Sequence, residues 1–127
     1  MPMTMRNIAV DCADPYELAT FWSSVVGRPL LDEDEPGDPE AVIVMPSGPA
    51  LFFQRVPEPK VGKNRLHVCL TAEDTVQADV DRLVGLGARL VQDRRTPDGR
   101  GWVVLADPEG NEFCVLRGPG DPDPTRA

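Results

Sequence analysis

Histidine occurs once in this chain, at His67, and cysteine three times, at Cys12, Cys69 and Cys114. An odd number of widely spaced cysteines, with no CxxC pair, argues against a disulfide framework or a zinc knuckle and fits reduced thiols. Basic residues are outnumbered, 13 against 21 acidic ones, for a net charge of −8. Phosphate binding needs a basic surface, so nucleic acid is not an expected partner. No apolar run approaches membrane-spanning length and no secretory signal precedes residue 5. A cytoplasmic protein with no membrane partner is therefore expected. Also missing are a Gly-rich phosphate loop, a GxSxG elbow, a dinucleotide fingerprint and an evident pair of catalytic carboxylates.

What is present is enough apolar residue, 41% of 127, for one compact domain or two small halves. The acidic excess gathers in Asp32-Glu33-Asp34-Glu35 through Asp38 and Glu40. Like charges repel and stay in water, so this run reads as a solvated loop. Met5 to Cys12 reads as a strand. Asp14, Pro15 and Glu17 supply an N-cap, a first-turn proline and a capping-box partner. Leu18, Phe21, Trp22 and Val25 then follow at helical spacing, and Gly27 is a natural stop. Three strands follow, Arg28–Leu31, Ala41–Met45 and Ala50–Val56.

Pro57 to Asn64 reads as a linker, because its prolines and glycine break regular structure. Arg65–Thr71 is the next expected strand. Asp74 is the expected cap of a second helix, with Gln77 at the capping-box position and a stripe of Val76, Val80, Leu83 and Val84. Gly87 ends it, Ala88–Gln92 is a strand, and Trp102–Leu105 and Phe113–Leu116 form a hairpin around Asp107-Pro108-Glu109-Gly110-Asn111. The tail 118–127, rich in Pro, Asp and Gly, reads as disordered.

The two halves repeat. Asn7, Asp14, Gly27 and Leu30 correspond to His67, Asp74, Gly87 and Leu90 at an offset of 60, and Phe52 and Arg55 to Cys114 and Arg117 at 62. The shift of two places an insertion in the loop Arg94–Arg100. The predicted fold class is α+β, two βαβββ modules forming a curved, incompletely closed eight-stranded sheet around a cleft. Module one covers about 5–56, the linker 57–64 and module two about 65–117.

Three features together resemble the vicinal oxygen chelate superfamily, which includes glyoxalases, bleomycin-resistance proteins and dioxygenases. These are the paired modules, the Asp107–Asn111 turn before the last strand, and the helix opening Asp14-Pro15-Tyr16-Glu17-Leu18-Ala19-Thr20-Phe21-Trp22. The segments Lys63–His67 and Asn111–Leu116 are most similar to its glyoxalase-like domain branch. Metal-dependent members hold a divalent ion with His or Glu from the first and last strands of each module. The resemblance maps those positions onto Asn7, Phe52, His67 and Cys114. His67 is a routine ligand, Cys114 suits zinc as a thiolate, Asn7 is a poor ligand and Phe52 is none. A stable site takes about three or four protein ligands. The expectation is therefore no metal and no cofactor. The lesser alternative is a divalent metal with a carboxylate lent by Asp11 or Glu112.

If the same alignment sets which side of each strand faces inward, the ligand pocket comprises Asn7, Asp11, Phe52, Gln54, His67, Cys69, Trp102, Val104 and Cys114. Such an apolar and aromatic lining suits a flat or hydrophobic organic molecule. His67 and Cys114 are the catalytic candidates, because an imidazole beside a thiol lowers its pKa. Each residue also has a plainer reading. A lone strand histidine serves as a hydrogen-bonded structural group, Cys69 and Cys114 as small buried hydrophobes, and Phe52 and Trp102 as core. Arg94, Arg95 and Arg100 either meet an anionic ligand or form a solvated loop.

The resemblance implies a small-molecule-binding protein with a metal-free cleft, acting in sequestration, resistance or a metal-independent conversion. The rival is a metal-dependent lyase, isomerase or dioxygenase with an altered ligand set. A third reading is an interaction module whose cleft takes a protein partner. Because members of the superfamily pair modules within or between chains, a homodimer is the implied assembly.

Overall fold

Asp14 stops one strand and starts one helix. In the computed structural model, which describes residues 1–123, β1 spans Asn7–Cys12 and α1 spans Pro15–Val26. Asp14 is extended, and its carboxylate accepts the Glu17 N–H at 3.2 Å. This satisfies one of the free donors at the helix start. Gly27 closes α1 in the left-handed region, φ 68°, with its N–H on the Ser23 carbonyl. Leu18, Ala19, Phe21 and Trp22 are buried, and the two aromatic rings meet edge to face with centroids 5.6 Å apart. They cover the inner face of a small mixed sheet. Its strands are β1, β2 (Glu40–Ile43) and β3 (Ala50–Arg55), in the order β1-β3-β2.

The second unit repeats the plan with β4 (Cys69–Thr71), α2 (Val76–Gly85), β5 (Arg89–Asp93), β6 (Trp102–Ala106) and β7 (Glu112–Leu116). Its sheet order is β4-β7-β6-β5, with β4 parallel to β7 and the other pairs antiparallel. Val76, Val80 and Leu83 of α2 are buried, as are Val103, Leu105, Phe113 and Val115 of the sheet. Each such side chain contributes on the order of 1.5–3 kcal/mol of apolar burial. The chain forms two compact units, Met1–Val61 and one that begins at Gly62.

Strand register carries the duplication residue by residue. In the first unit Ala9 pairs with Phe52, Val42 with Phe52 and Leu30 with Ile43. In the second unit the pairs are Cys69 with Cys114, Val104 with Cys114 and Leu90 with Leu105. These are the same pairs at offsets of 60 before the loops and 62 after them. Gly48 and Gly110 hold the matching hairpin turns at φ 77° and 88°. In the second turn the buried Asp107 carboxylate accepts the N–H groups of Glu109 and Asn111 at 3.0 and 2.9 Å.

Several expectations are corrected. The sheets have three and four strands among the described residues, because Arg28–Leu31 is reduced to a single bridge at Leu30. Pro29 stands where β5 has Arg89, and proline cannot donate to a ladder. The cap of α2 is Thr75, whose hydroxyl accepts the Ala78 N–H at 3.1 Å, and not Asp74. Asp121 reinforces that end by accepting the Val76 N–H at 2.8 Å. Val84 is 47% exposed and so lies off the buried stripe. The strand expected at Arg65–Thr71 begins only at Cys69. The acidic run needs no correction: it stays largely exposed, as a solvated loop does, while Asp34 accepts the Val42 N–H and Arg55 donates to the carbonyls of Gly37 and Asp38. Of the tail expected to be disordered, 124–127 lies outside the described residues. Gly118 and Gly120 donate to Asp121 and to the Asp74 carbonyl.

Candidate functional site

The site residues of the second unit are set by the pairing of β4 with β7. Cys69 lies directly opposite Cys114, and Val104 of β6 flanks Cys114 on its other side. Alternation along a strand then puts His67, Cys69 and Thr71 on one side, with Glu112, Cys114 and Leu116 beside them. His67 precedes the regular part of β4, where the Cys114 N–H donates to the Val68 carbonyl at 2.9 Å. One ligand atom each from His67, Cys69 and Cys114 lie within 4.8 Å of one another.

The three donors differ in surroundings. Cys114 is 7% exposed, whereas Cys69 and His67 are open to solvent. Burial pushes the Cys114 thiol up, and the neighbouring Cys69 adds to that shift. The direction is opposite to the activated thiolate that a nucleophile needs. All three cysteines are free thiols, and the exposure of Cys69 corrects its reading as a small buried hydrophobe. The Glu112 carboxylate faces Lys63 at 3.9 Å and is not a member of the donor group.

The remaining second-unit candidates share this face. Trp102 pairs with Leu116 and is 40% exposed, with the Arg94 guanidinium 5.9 Å from its ring centroid. Beyond Thr71 and Leu116 an open depression of about 530 Å³ is lined also by Gly99, Arg100, Arg117 and Gly118. Arg100 is paired with Asp98 at 3.0 Å and Arg117 with Asp123 at 3.4 Å.

The first unit holds the other four candidates. Asn7 pairs with Ala50 and is exposed, and Phe52 is half-buried between Ala9 and Val42. Asp11 and Gln54 are register partners, and the Gln54 amide donates to the Asp11 carboxylate at 2.8 Å. The positions that correspond to His67, Cys69 and Cys114 are Asn7, Ala9 and Phe52, so the donor cluster belongs to the second unit alone. Sequence reasoning missed Cys69 as a donor. The signal was present in the His67-x-Cys69 spacing, which returns two ligating residues to one side of a strand. It also missed Arg117 and the turn Gly99–Gly101, whose place beside Leu116 depends on a loop.

Two repeated units, each a helix on a small mixed sheet of three or four strands, give the α+β plan of the vicinal oxygen chelate class. The chain belongs to the glyoxalase-like domain family, whose model matches residues 7–116. Among solved structures it is similar to a glyoxalase/bleomycin resistance/dioxygenase family enzyme from Burkholderia phytofirmans. The identity there is 16%, the TM-score 0.70, and 89% of this chain and 97% of that one are covered. A mutant of the fosfomycin resistance protein FosX from Listeria monocytogenes, complexed with Mn(II) and 1S,2S-dihydroxypropylphosphonic acid, is also similar. It shows 14% identity and a TM-score of 0.70 over 93% of this chain and 94% of that one. A protein from Agrobacterium tumefaciens solved in solution shows 17% identity and a TM-score of 0.70, over 91% and 98% of the two chains. Identities this low carry the fold alone. No curated protein matches the chain.

The resemblance implies a divalent ion, and the donors that converge here do not suit a hard one. Hard ions take oxygen ligands. The converging donors are one imidazole nitrogen and two sulfurs.

Proposed function

We propose that this glyoxalase-like domain binds a small organic ligand on the strand face that carries Cys114, Val104 and Trp102, without a hard divalent ion at the ligand. The observation that carries this reading is the apolar row of Trp102, Val104, Cys114 and Leu116 running into the open depression beside Arg100 and Arg117. Its volume of about 530 Å³ falls within the range of small-molecule sites, which is roughly 300–1,000 Å³. Apolar surface supplies the affinity for a flat molecule. The two guanidinium groups at its edge already face Asp98 and Asp123, so an anionic group on the ligand would compete with those carboxylates.

The test is a panel of flat aromatic and short-chain anionic compounds, scored by thermal shift and by quenching of tryptophan emission. A saturable shift that is lost in Trp102→Ala, with manganese making no difference, is the expected result. No response to any compound, or a response that requires manganese, overturns the reading. One observation favours a second reading, a metal-dependent lyase, isomerase or dioxygenase with an altered ligand set: His67, Cys69 and Cys114 converge.

A further inference from the structure

We propose that Cys69 and Cys114 form an oxidation site, in which a hydroperoxide meets the Cys69 sulfur and the pair then closes to a disulfide across β4 and β7. The inference is independent of which organic ligand the domain takes.

Three observations carry it. The first is placement. Cys69 and Cys114 are direct register partners on neighbouring parallel strands, and their sulfurs lie within 4.8 Å of each other. Neighbouring strands run about 4.7–4.9 Å apart, inside the Cα separation of about 4.4–6.8 Å that a disulfide spans. A bond of about 2.05 Å needs the sulfurs to come closer still. Cys69 is the first residue of a three-residue strand at the edge of its sheet, so it has room to yield. The second is the division of exposure. Cys69 is open to solvent, whereas Cys114 is buried. An oxidant therefore reaches one sulfur first while the other waits beside it, the arrangement of an attacking and a resolving thiol. The third is that the strand pairing itself asks for no thiol. The matching register pair in the first unit is Ala9 with Phe52.

The chemistry balances in two steps. The Cys69 sulfur attacks the hydroperoxide: an S–O bond forms, the O–O bond breaks, and the thiol proton leaves with the departing oxygen as alcohol or water. Sulfur is oxidised to sulfenic acid and the peroxide is reduced. The Cys114 sulfur then attacks the Cys69 sulfur: an S–S bond forms, the S–O bond breaks, and the Cys114 proton leaves with the hydroxyl as water. Burial hinders Cys114 toward reagents in solution, but a partner already held in place does not have to be encountered. A small dithiol reverses the bond by exchange.

The test uses the full chain, reduced, freed of reductant and treated with a small molar excess of hydrogen peroxide in the presence of a chelator. The products are read by intact mass, thiol titration and peptide mapping. The expected result is a loss of two hydrogens in mass and of two of the three thiols, with a Cys69–Cys114 cross-link and full recovery in dithiothreitol. Cys69→Ser should abolish the cross-link, and Cys12→Ala should keep it. Cys114→Ser should stop at the Cys69 sulfenic acid, which dimedone traps. Cys69 is exposed, so its variant keeps the proposal falsifiable even if Cys114→Ser fails to fold. Three intact thiols, a cross-link through Cys12, a Cys69–Cys69 dimer, or Cys69 taken to sulfinic acid with no cross-link overturns it.

Discussion

The side-chain amide of Asn64 pairs with both backbone polar groups of Glu112. Its oxygen accepts the Glu112 N–H at 2.8 Å, and its nitrogen donates to the Glu112 carbonyl at 3.1 Å. In the first unit the corresponding ladder bond is made by backbone, from the Ala50 N–H to the Arg6 carbonyl at 3.0 Å. A side chain therefore stands in for a strand where the chain before Cys69 bends away. The same nitrogen lies 2.7 Å from the Leu66 carbonyl, one residue before His67.

Asn64→Ala should accordingly be less stable. Loss of these bonds costs about 1–3 kcal/mol, because part-buried backbone groups of Glu112 lose their partners. Urea unfolding measures that. Unchanged stability would show that water replaces the amide without loss.

This contact also marks how far the sequence could be read. The two-module plan was legible because turn chemistry and apolar spacing are local. Asp14, Pro15 and Gly27 bound α1 as expected, and Gly48 and Gly110 hold matching turns. Features decided by partners distant in sequence were not. Asn64 and Glu112 are 48 residues apart. The choice between Asp74 and Thr75 as cap of α2 turned on a difference of one residue between two competent side chains. Pro29 removes a strand that its neighbours would otherwise extend, and only the paired register shows which bonds are lost. At the site, His67 and Cys114 were singled out one position at a time through the family pattern. Cys69 entered the donor group only once β4 was seen lying beside β7.

Two glycines should respond to alanine in opposite directions. A Cβ at Gly118 would run into the carbonyl oxygens of Ala72 and Asp74, which are backbone atoms with little freedom to yield. Gly118→Ala should cost about 1–3 kcal/mol, as overpacking does. Gly85 ends α2 with open space around its Cα and no positive φ. Gly85→Ala should stabilise the protein by up to about 1 kcal/mol through helix propensity. Thermal unfolding of the two variants side by side checks the signs.

Asp93 should give a pH signature in acid. Its carboxylate accepts three hydrogen bonds from Arg95, at 3.0, 3.0 and 2.7 Å, and Arg95 also reaches the Gln77 amide oxygen at 3.0 Å. The Arg95 side-chain bonds first, and then its backbone N–H, pull the carboxyl from 3.8 down to about 2. A depressed carboxylate contributes its stability above the unfolded pKa and loses it as pH falls through the folded one. Both side chains are about a third or more exposed, at 32% and 43%, and solvent screening limits the contribution to ~0.5 kcal/mol. Asp93→Asn should therefore be slightly less stable than the parent at neutral pH, with the difference vanishing between about pH 4 and pH 2. A difference that persists at pH 2 would assign the effect to something other than ionisation.

The two facing thiols should differ sharply in reactivity. Cys69 is exposed, while Cys114 is buried and its thiol is raised by that burial and then by Cys69 itself. A raised pKa leaves less thiolate at neutral pH, and thiolate is the reacting form. Brief treatment with iodoacetamide, read by peptide mapping, should alkylate Cys69 at least about tenfold faster than Cys114. Faster alkylation of Cys114 would mean that its sulfur is activated after all, and it would return the His67–Cys114 pair to consideration as a nucleophile and its base.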